Sequence, residues 1–414
     1  MIFTIALQSL KSRRGAVLLT MLSVILSVGL LVATEHIRLQ AKDSFGRTIS
    51  GTDLIVGPRT GQTNLLLYSV FRVGNPTNNI SWASVESIQN YPGVNWAVPI
   101  SLGDSHKGFA VVGTTSDYFR FFQYGNKQAL QFKEGQAFDS VFGAVIGSDV
   151  AKTMRYKVGD EIVLSHGMAE VSFKTHQHSP FRVTGILLPT GTPVDKTVHV
   201  SLQGLEAAHM SQHQLHELEH DLQEGEEITL PIEQVTAVLV GLDSPIRTLQ
   251  IQRQINQSAL EPMMAILPGV ALSELWQLVG NIENLLLLIS VMILFASLLG
   301  LATMLLTSIR ERRREIAVLR AIGASPVVVF LLIQTEAFLI SVSASIIAVL
   351  LVWGTLIIGA NWLSEEYGLF VDANLFTLGT FTVVGLVCVI TFIIACVPAI
   401  TAYKQTLQQG LNAR

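Results

Sequence analysis

Four stretches of this chain are apolar enough to cross a bilayer as helices, which takes about 20 residues each. They lie at about 15–34, 284–308, 327–352 and 375–399. Backbone in hydrocarbon must satisfy its own hydrogen bonds, so each run is committed to helix before any local propensity is considered. Half of the residues are hydrophobic and only 14% are charged. The mean hydropathy of +0.47 and net charge of −4 suit a membrane protein and argue against a nucleic-acid partner.

Basic residues set the orientation. Lys11, Arg13 and Arg14 precede the first run, which places residues 1–14 in the cytoplasm and the first span at 15–35. Leu31 and Ala33 make a poor cleavage pair, so this run reads as an uncleaved anchor. The next spans are expected at 281–309, 327–360 and 375–399. The loop at 361–374 carries Glu365, Glu366 and Asp372 without Lys or Arg, and suits the outside. The tail at 400–414 returns to the cytoplasm.

Everything from 36 to 280 is then outside, a segment large enough for one big domain or two modest ones. Strand-like runs (Asp53–Val56, Phe109–Val112, Ala144–Ile146, Glu161–Leu164 and Thr236–Val240) alternate with helical candidates. One helix is expected over Trp82–Asn90 with Ser81 as N-cap. Another is expected over Ser244–Leu260, with Ile246, Leu249 and Ile255 on its apolar face. The stretch at about 134–230 is richer in glycine and strand signals and reads as a β-rich lobe inserted in a larger one. The fold class is therefore an α-helical integral membrane protein with four transmembrane helices and a large α+β extracytoplasmic domain between the first two.

Between the second and third runs stands Arg310-Glu-Arg-Arg-Arg-Glu-Ile-Ala-Val-Leu-Arg320-Ala-Ile-Gly-Ala-Ser-Pro326. Five arginines in eleven residues fix this segment, 310–326, on the cytoplasmic side. Ile316, Leu319 and Ile322 recur at helical spacing, and Gly323 ahead of Pro326 is a helix stop. The segment reads either as a topology anchor alone or, being compact and sticky-faced, as the element that a membrane protein driven by a cytoplasmic partner would need.

That segment, the three-span carboxy-terminal unit, Val397-Pro-Ala-Ile-Thr-Ala402 and the stretch Thr190–Val200 resemble the MacB/FtsX/LolCE-type ABC transporter permeases. The resemblance spans the whole chain. It implies a homodimer or heterodimer of permeases in a bacterial inner membrane, each docked on a cytoplasmic ATP-binding subunit through the short helix. Arg310, Arg312, Arg313, Arg314, Glu315, Arg320 and Gly323 are the matching positions. It also implies a two-lobed outside domain and an ATP-driven movement relayed to it through the helices. No Gly-x-x-x-x-Gly-Lys-Ser/Thr loop occurs in the chain, so ATP is expected at a partner subunit. No nucleophile elbow is present either, and the chain is not read as an enzyme.

All ten histidines fall between His36 and His220. His209, His213, His216 and His220 would lie within roughly 60° of one another on a helix. Seven acidic residues and no Lys or Arg accompany them between 206 and 227. Imidazoles one turn apart beside carboxylates are ligands that zinc accepts, and His176 and His178 are weaker candidates. A solvated polar face and a pH-sensing role stand beside the metal reading. Cys388 and Cys396, the only two cysteines, both sit in the last apolar run, which removes thiolate metal sites and disulfides from the outside domain.

Glu336 falls inside the third run, where a carboxylate must face another helix, water or a polar partner. It is read equally as a functional group and as a hydrogen-bonded interface residue. Ser23 with Ser27, and Ala296 with Gly300, have the small-xxx-small spacing that lets helices approach. Two functions are carried forward. One is a permease for a substrate, with divalent metal the sharpest guess and peptide, lipoprotein or small amphiphile the alternatives. The other is an FtsX-like mechanical transmitter acting on an extracytoplasmic protein partner.

Overall fold

The computed structural model describes residues 2–138, 140–166, 180–210, 214, 230–312, 315–316, 318, 322–367 and 374–411. The chain divides into two compact units, one made of the long helices and one built from Lys42–Leu278.

The helical unit opens with α1 (Ile2–Ser12), separated by Arg13 from α2 (Arg14–Arg47). Among the described residues, four helices are long and apolar enough to cross a membrane: Arg14–Gln40 within α2, then Pro268–Glu311, Pro326–Gly359 and Leu378–Lys404. The helices overrun their apolar cores, because helix needs only a compatible backbone once its hydrophobic centre is fixed. Polar side chains stitch them together. Ser23 lies 2.8 Å from Ser297, and Ser27 also bonds Ser297. Ser341 meets Thr391 at 3.0 Å, and Gln334 donates to the Phe392 carbonyl at 3.3 Å. A Cβ at Gly29 would stand 3.6 Å from Val352, so α2 and the third span approach closely there. The Ala296–Gly300 pair makes no such approach: a Cβ at Gly300 would meet nothing within 4 Å.

The second unit carries fifteen described strands. The first eight are β1 (Leu54–Pro58), β2 (Ile80–Ser81), β3 (Val94–His106), β4 (Phe109–Thr114), β5 (Gln123–Tyr124), β6 (Gln128–Ala129), β7 (Phe132–Gly135) and β8 (Gly143–Ile146). They are followed by β9 (Glu161–Ile162), β10 (Ser165–His166), β11 (Phe181–Leu187), β12 (Thr197–Ser201), β13 (Gln234–Val235), β14 (Ala237–Leu242) and β15 (Met263–Ile266). The main sheet runs β15-β1-β14-β3-β4-β12-β8-β11-β7, with β10 on β3 and β9 on β11. β12 is parallel to β4 and β11 is parallel to β8; the other ladders of this sheet are antiparallel. The described strands from the 134–230 region belong to the same sheet, joined to it by the β4–β12 ladder and by β10 on β3.

Alternation explains the two-sided burial. In β1, Ile55 points into one core with Val98, Ile100 and Leu239, while Leu54 and Val56 point into another with Val238, Val240 and Ile255. Each buried Val or Ile stabilises the domain by about 1.5–3 kcal/mol relative to exposure. A third core, around Ile146, Phe181, Val198 and Leu205, underlies the β8–β12 half.

The described helices of the second unit begin with α3 (Gln62–Leu66), α4 (Trp82–Gln89), α5 (Asp117–Phe121), α6 (Ser148–Met154) and α7 (Leu202–Ala208). They are followed by α8 (Thr248–Asn256), and the long helices are α9 (Pro268–Glu311), α10 (Pro326–Tyr367) and α11 (Leu378–Leu411).

Three local expectations need correction. Ser81 occupies the N-cap position of α4, but its hydroxyl pairs with Ser84 and Glu261 rather than capping the helix backbone. Helix does not span Ser244–Leu260: Pro245 starts a 3-10 turn to Arg247, and α8 begins only at Thr248. The shift turns Thr248, Ile251 and Ile255 inward and leaves Ile246 and Leu249 at 92% and 69% exposure. The strand expected over Glu161–Leu164 stops at Ile162.

Candidate coupling site

The helical unit concentrates its charged contacts where α1, the end of α9 and the first third of α10 meet. α9 closes at Glu311, and its hydrogen-bond ladder continues beyond: Arg312 N–H donates to the Ser308 carbonyl and Ile316 N–H to the Arg312 carbonyl. Arg312 and Ile316 thus keep helical hydrogen bonding just beyond α9. Ile322 N–H donates to the Val318 carbonyl, and Gly323 follows with φ +99°, a conformation that closes a helix and suits glycine alone.

Arg312 does not point to solvent. Its side chain is 14% exposed and donates to Glu336 Oε1 at 3.0 Å and to Glu315 Oε2 at 2.6 Å. A third bond runs from the guanidinium to the Ser9 hydroxyl on α1. Glu336 is buried on α10, ten residues after Pro326, which is about 15 Å along the helix axis. Arg13, between α1 and α2, donates to the Ser308 carbonyl at 3.1 Å and approaches Glu311 at 3.6 Å.

Other predicted positions differ. Arg310 is exposed at the end of α9, and Glu315 keeps 63% of its side chain exposed despite its bond to Arg312. Val318 and Ile322 are 60% and 77% exposed, large apolar surfaces on a charged segment. An open groove of about 580 Å³ runs beside Val318, lined also by Ile5, Gln8, Ser9, Ser12, Arg312 and Glu315. Arg313, Arg314 and Arg320 lie outside the described residues. Sequence reasoning gave Ser9 no role and read Arg13 only as a topology charge. Ser9 lies in the short helix before the first span and Arg13 just after it.

The histidine cluster is described only at its first member. His209 ends α7 as its C-cap, with Nδ1 2.7 Å from the Leu205 carbonyl and Nε2 3.5 Å from Asp104 Oδ2. Both neighbours are acceptors, so the ring satisfies both only as imidazolium. The bond to Asp104 raises its pKa, while burial pulls the other way. His213, His216, His220, His176 and His178 lie outside the described residues. Among the described residues, no group of three His, Cys, Asp or Glu side chains is placed to hold a metal ion.

The stretch Thr190–Val200 has a structural explanation. Asp195 is fully buried, and its carboxylate accepts from Thr190 N–H at 2.8 Å, Gly191 N–H at 2.8 Å and the Thr190 hydroxyl at 2.9 Å. This knot feeds the chain into β12. Burial pushes the Asp195 pKa up, and the donors around it pull it down. Four residues on, His199 is buried in β12 against the rings of Tyr118 and Phe119, at 5.0 and 5.6 Å. Burial, then the charge of Arg72, lowers its pKa to about 3.

Sequence comparison decides the family. Residues 17–258 match the model of the MacB-like periplasmic core domain, and residues 287–407 match that of the FtsX-like permease C-terminal domain. The chain is a MacB/FtsX-type ABC transporter permease. It is thereby a multi-pass membrane protein of a family that is generally not enzymatic. Comparison with curated proteins found no match. Among solved structures, the periplasmic region of MacB from Actinobacillus actinomycetemcomitans is 11% identical, covering 56% of this chain and 95% of that one, with a TM-score of 0.34. The extracellular domain of the noncanonic ABC-type transporter YknZ from Gram-positive bacteria is 14% identical, covering 52% and 99%, with a TM-score of 0.29. At such scores the assignment rests on the two family models.

Proposed function

We propose that this permease couples ATP hydrolysis by a separate cytoplasmic subunit to movement of its extracytoplasmic domain, as half of a permease dimer in a bacterial inner membrane. Both termini and the 310–326 segment then face the cytoplasm, and residues 36–280 lie outside. The observation that carries this reading is the split character of the segment. Arg312 is drawn inward, while Val318 and Ile322 stand out in water beside Arg310. Exposed aliphatic side chains on a short helix form a surface that a partner's groove would bury. The domain's cargo is proposed to involve zinc, on the sequence pattern of His209, His213, His216 and His220 at helical spacing among carboxylates.

The test is association. Val318→Asp with Ile322→Asp should abolish co-purification of the ATP-hydrolysing subunit while leaving the permease at normal membrane levels. Undiminished co-purification would remove the segment from the docking surface.

A further inference from the structure

The Arg-rich segment is braced at its root, and Val318 and Ile322, among its described later residues, are exposed. Arg312 is the first residue beyond α9, yet its guanidinium reaches Glu336 on α10 at 3.0 Å and Ser9 on α1. Both partners are at most 6% exposed. Arg13 adds a bond from the start of α2 to the Ser308 carbonyl one turn earlier. Val318 and Ile322, the outward residues, stand 60% and 77% exposed.

Glu336 has no role in the segment's exposed surface, since it lies buried in the third long helix. A buried carboxylate there is costly unless paired, and removing either partner leaves an uncompensated charge. The pair closes a 24-residue loop between two helices, and so restricts the directions in which the intervening segment can project. An isolated topology anchor would need no such contact, because positive charge alone sets sidedness.

We infer that Glu336 is the positioning residue of the coupling segment: through Arg312 and Ser9 it fixes how Val318 is presented and ties the segment's motion to the third span. The link to coupling rests on the function proposed above; the positioning itself does not. A push on the outer end of the segment reaches α10 through this ion pair, and reaches α1 through Ser9.

Ile5 and Val318 line the same groove, which supplies a direct readout. The full-length permease, co-expressed with its ATP-hydrolysing subunit, would carry Ile5→Cys and Val318→Cys with Cys388→Ser and Cys396→Ser. Crosslinking by a short bismaleimide is measured in membranes, with permease level and thermal stability as controls. Glu336→Gln should lower the crosslinking yield about tenfold, and Arg312→Glu with Glu336→Arg should restore most of it. Ser9→Ala, a milder change that removes one bond, should lower the yield by about two- to threefold. Unchanged crosslinking in a stable Glu336→Gln protein would overturn the proposal, as would a Ser9→Ala protein that matches the parent if Glu336→Gln fails to accumulate. Reduced crosslinking with undiminished binding of the ATP-hydrolysing subunit supports positioning by Glu336 and instead removes the docking role of the segment.

Discussion

Replacing His199 by phenylalanine should make the outside domain less sensitive to acid. His199 is fully buried in β12 and its pKa falls from 6.5 to about 3, through burial first and the Arg72 charge second. A histidine whose folded pKa is depressed contributes stability above its unfolded pKa, and that stability is lost as pH falls below 6.5. Between pH 7 and pH 5 the unfolded chain takes up a proton that the folded domain refuses. The loss at this residue is about 2 kcal/mol, from roughly 1.5 pH units at 1.36 kcal/mol each. His106 shifts in the same direction through its own burial, and His209 shifts in the opposite one. Both are common to parent and variant and cancel in the difference. The assay is urea unfolding of residues 42–278 at pH 7 and pH 5, with and without His199→Phe. The parent's midpoint should fall by roughly 0.7–1 M more than the variant's, for an m-value of about 2–3 kcal/mol/M. Ring packing against Tyr118 and Phe119 changes stability equally at both pH values. Parallel pH dependences would refute the argument and show that His199 is not held neutral by its surroundings.

Other predictions follow from single contacts. Asp195→Asn removes an acceptor and turns an amide toward the Thr190 and Gly191 N–H donors, costing roughly 1–3 kcal/mol; a melting temperature equal to the parent's would contradict it. Gly135→Ala should destabilise more severely. Its φ is +72° and a Cβ would stand 2.0 Å from the Thr184 carbonyl oxygen, so loss of the β7–β11 edge is expected by proteolysis, and an intact edge would count against the packing described. Calorimetric zinc titration of residues 37–280 should show binding at micromolar concentration or tighter. That binding should vanish when His209, His213, His216 and His220 are changed to alanine; absence of heat in the folded parent would return the histidines to a solvated face.

The long apolar helices were legible because hydrophobic length acts over many residues and tolerates local error. The outside domain was legible in its strands but not in their order. Its β4–β12 ladder joins residues far apart in sequence, and periodicity carries no information about which strand neighbours which. Val198-His-Val200 illustrates the limit: alternation suggests one polar face, yet both faces of β12 are covered and the histidine is buried. At α8, a proline and a 3-10 turn moved the helix start by a few residues, enough to expose Ile246 and Leu249. At the coupling segment, five arginines were visible but not distinguishable. That Arg312 turns inward depends on where Glu336 and Ser9 meet it in space, and neither is near it in the chain.

The central claim is that the segment after α9 meets the ATP-hydrolysing subunit. A photo-crosslinking amino acid placed at Ile322, 77% exposed, tests it most directly in membranes that contain the intact complex. The account predicts a covalent adduct with the ATP-hydrolysing subunit whose yield changes when ATP is added. An intact complex that gives adducts only with lipid, or none at all, would contradict it.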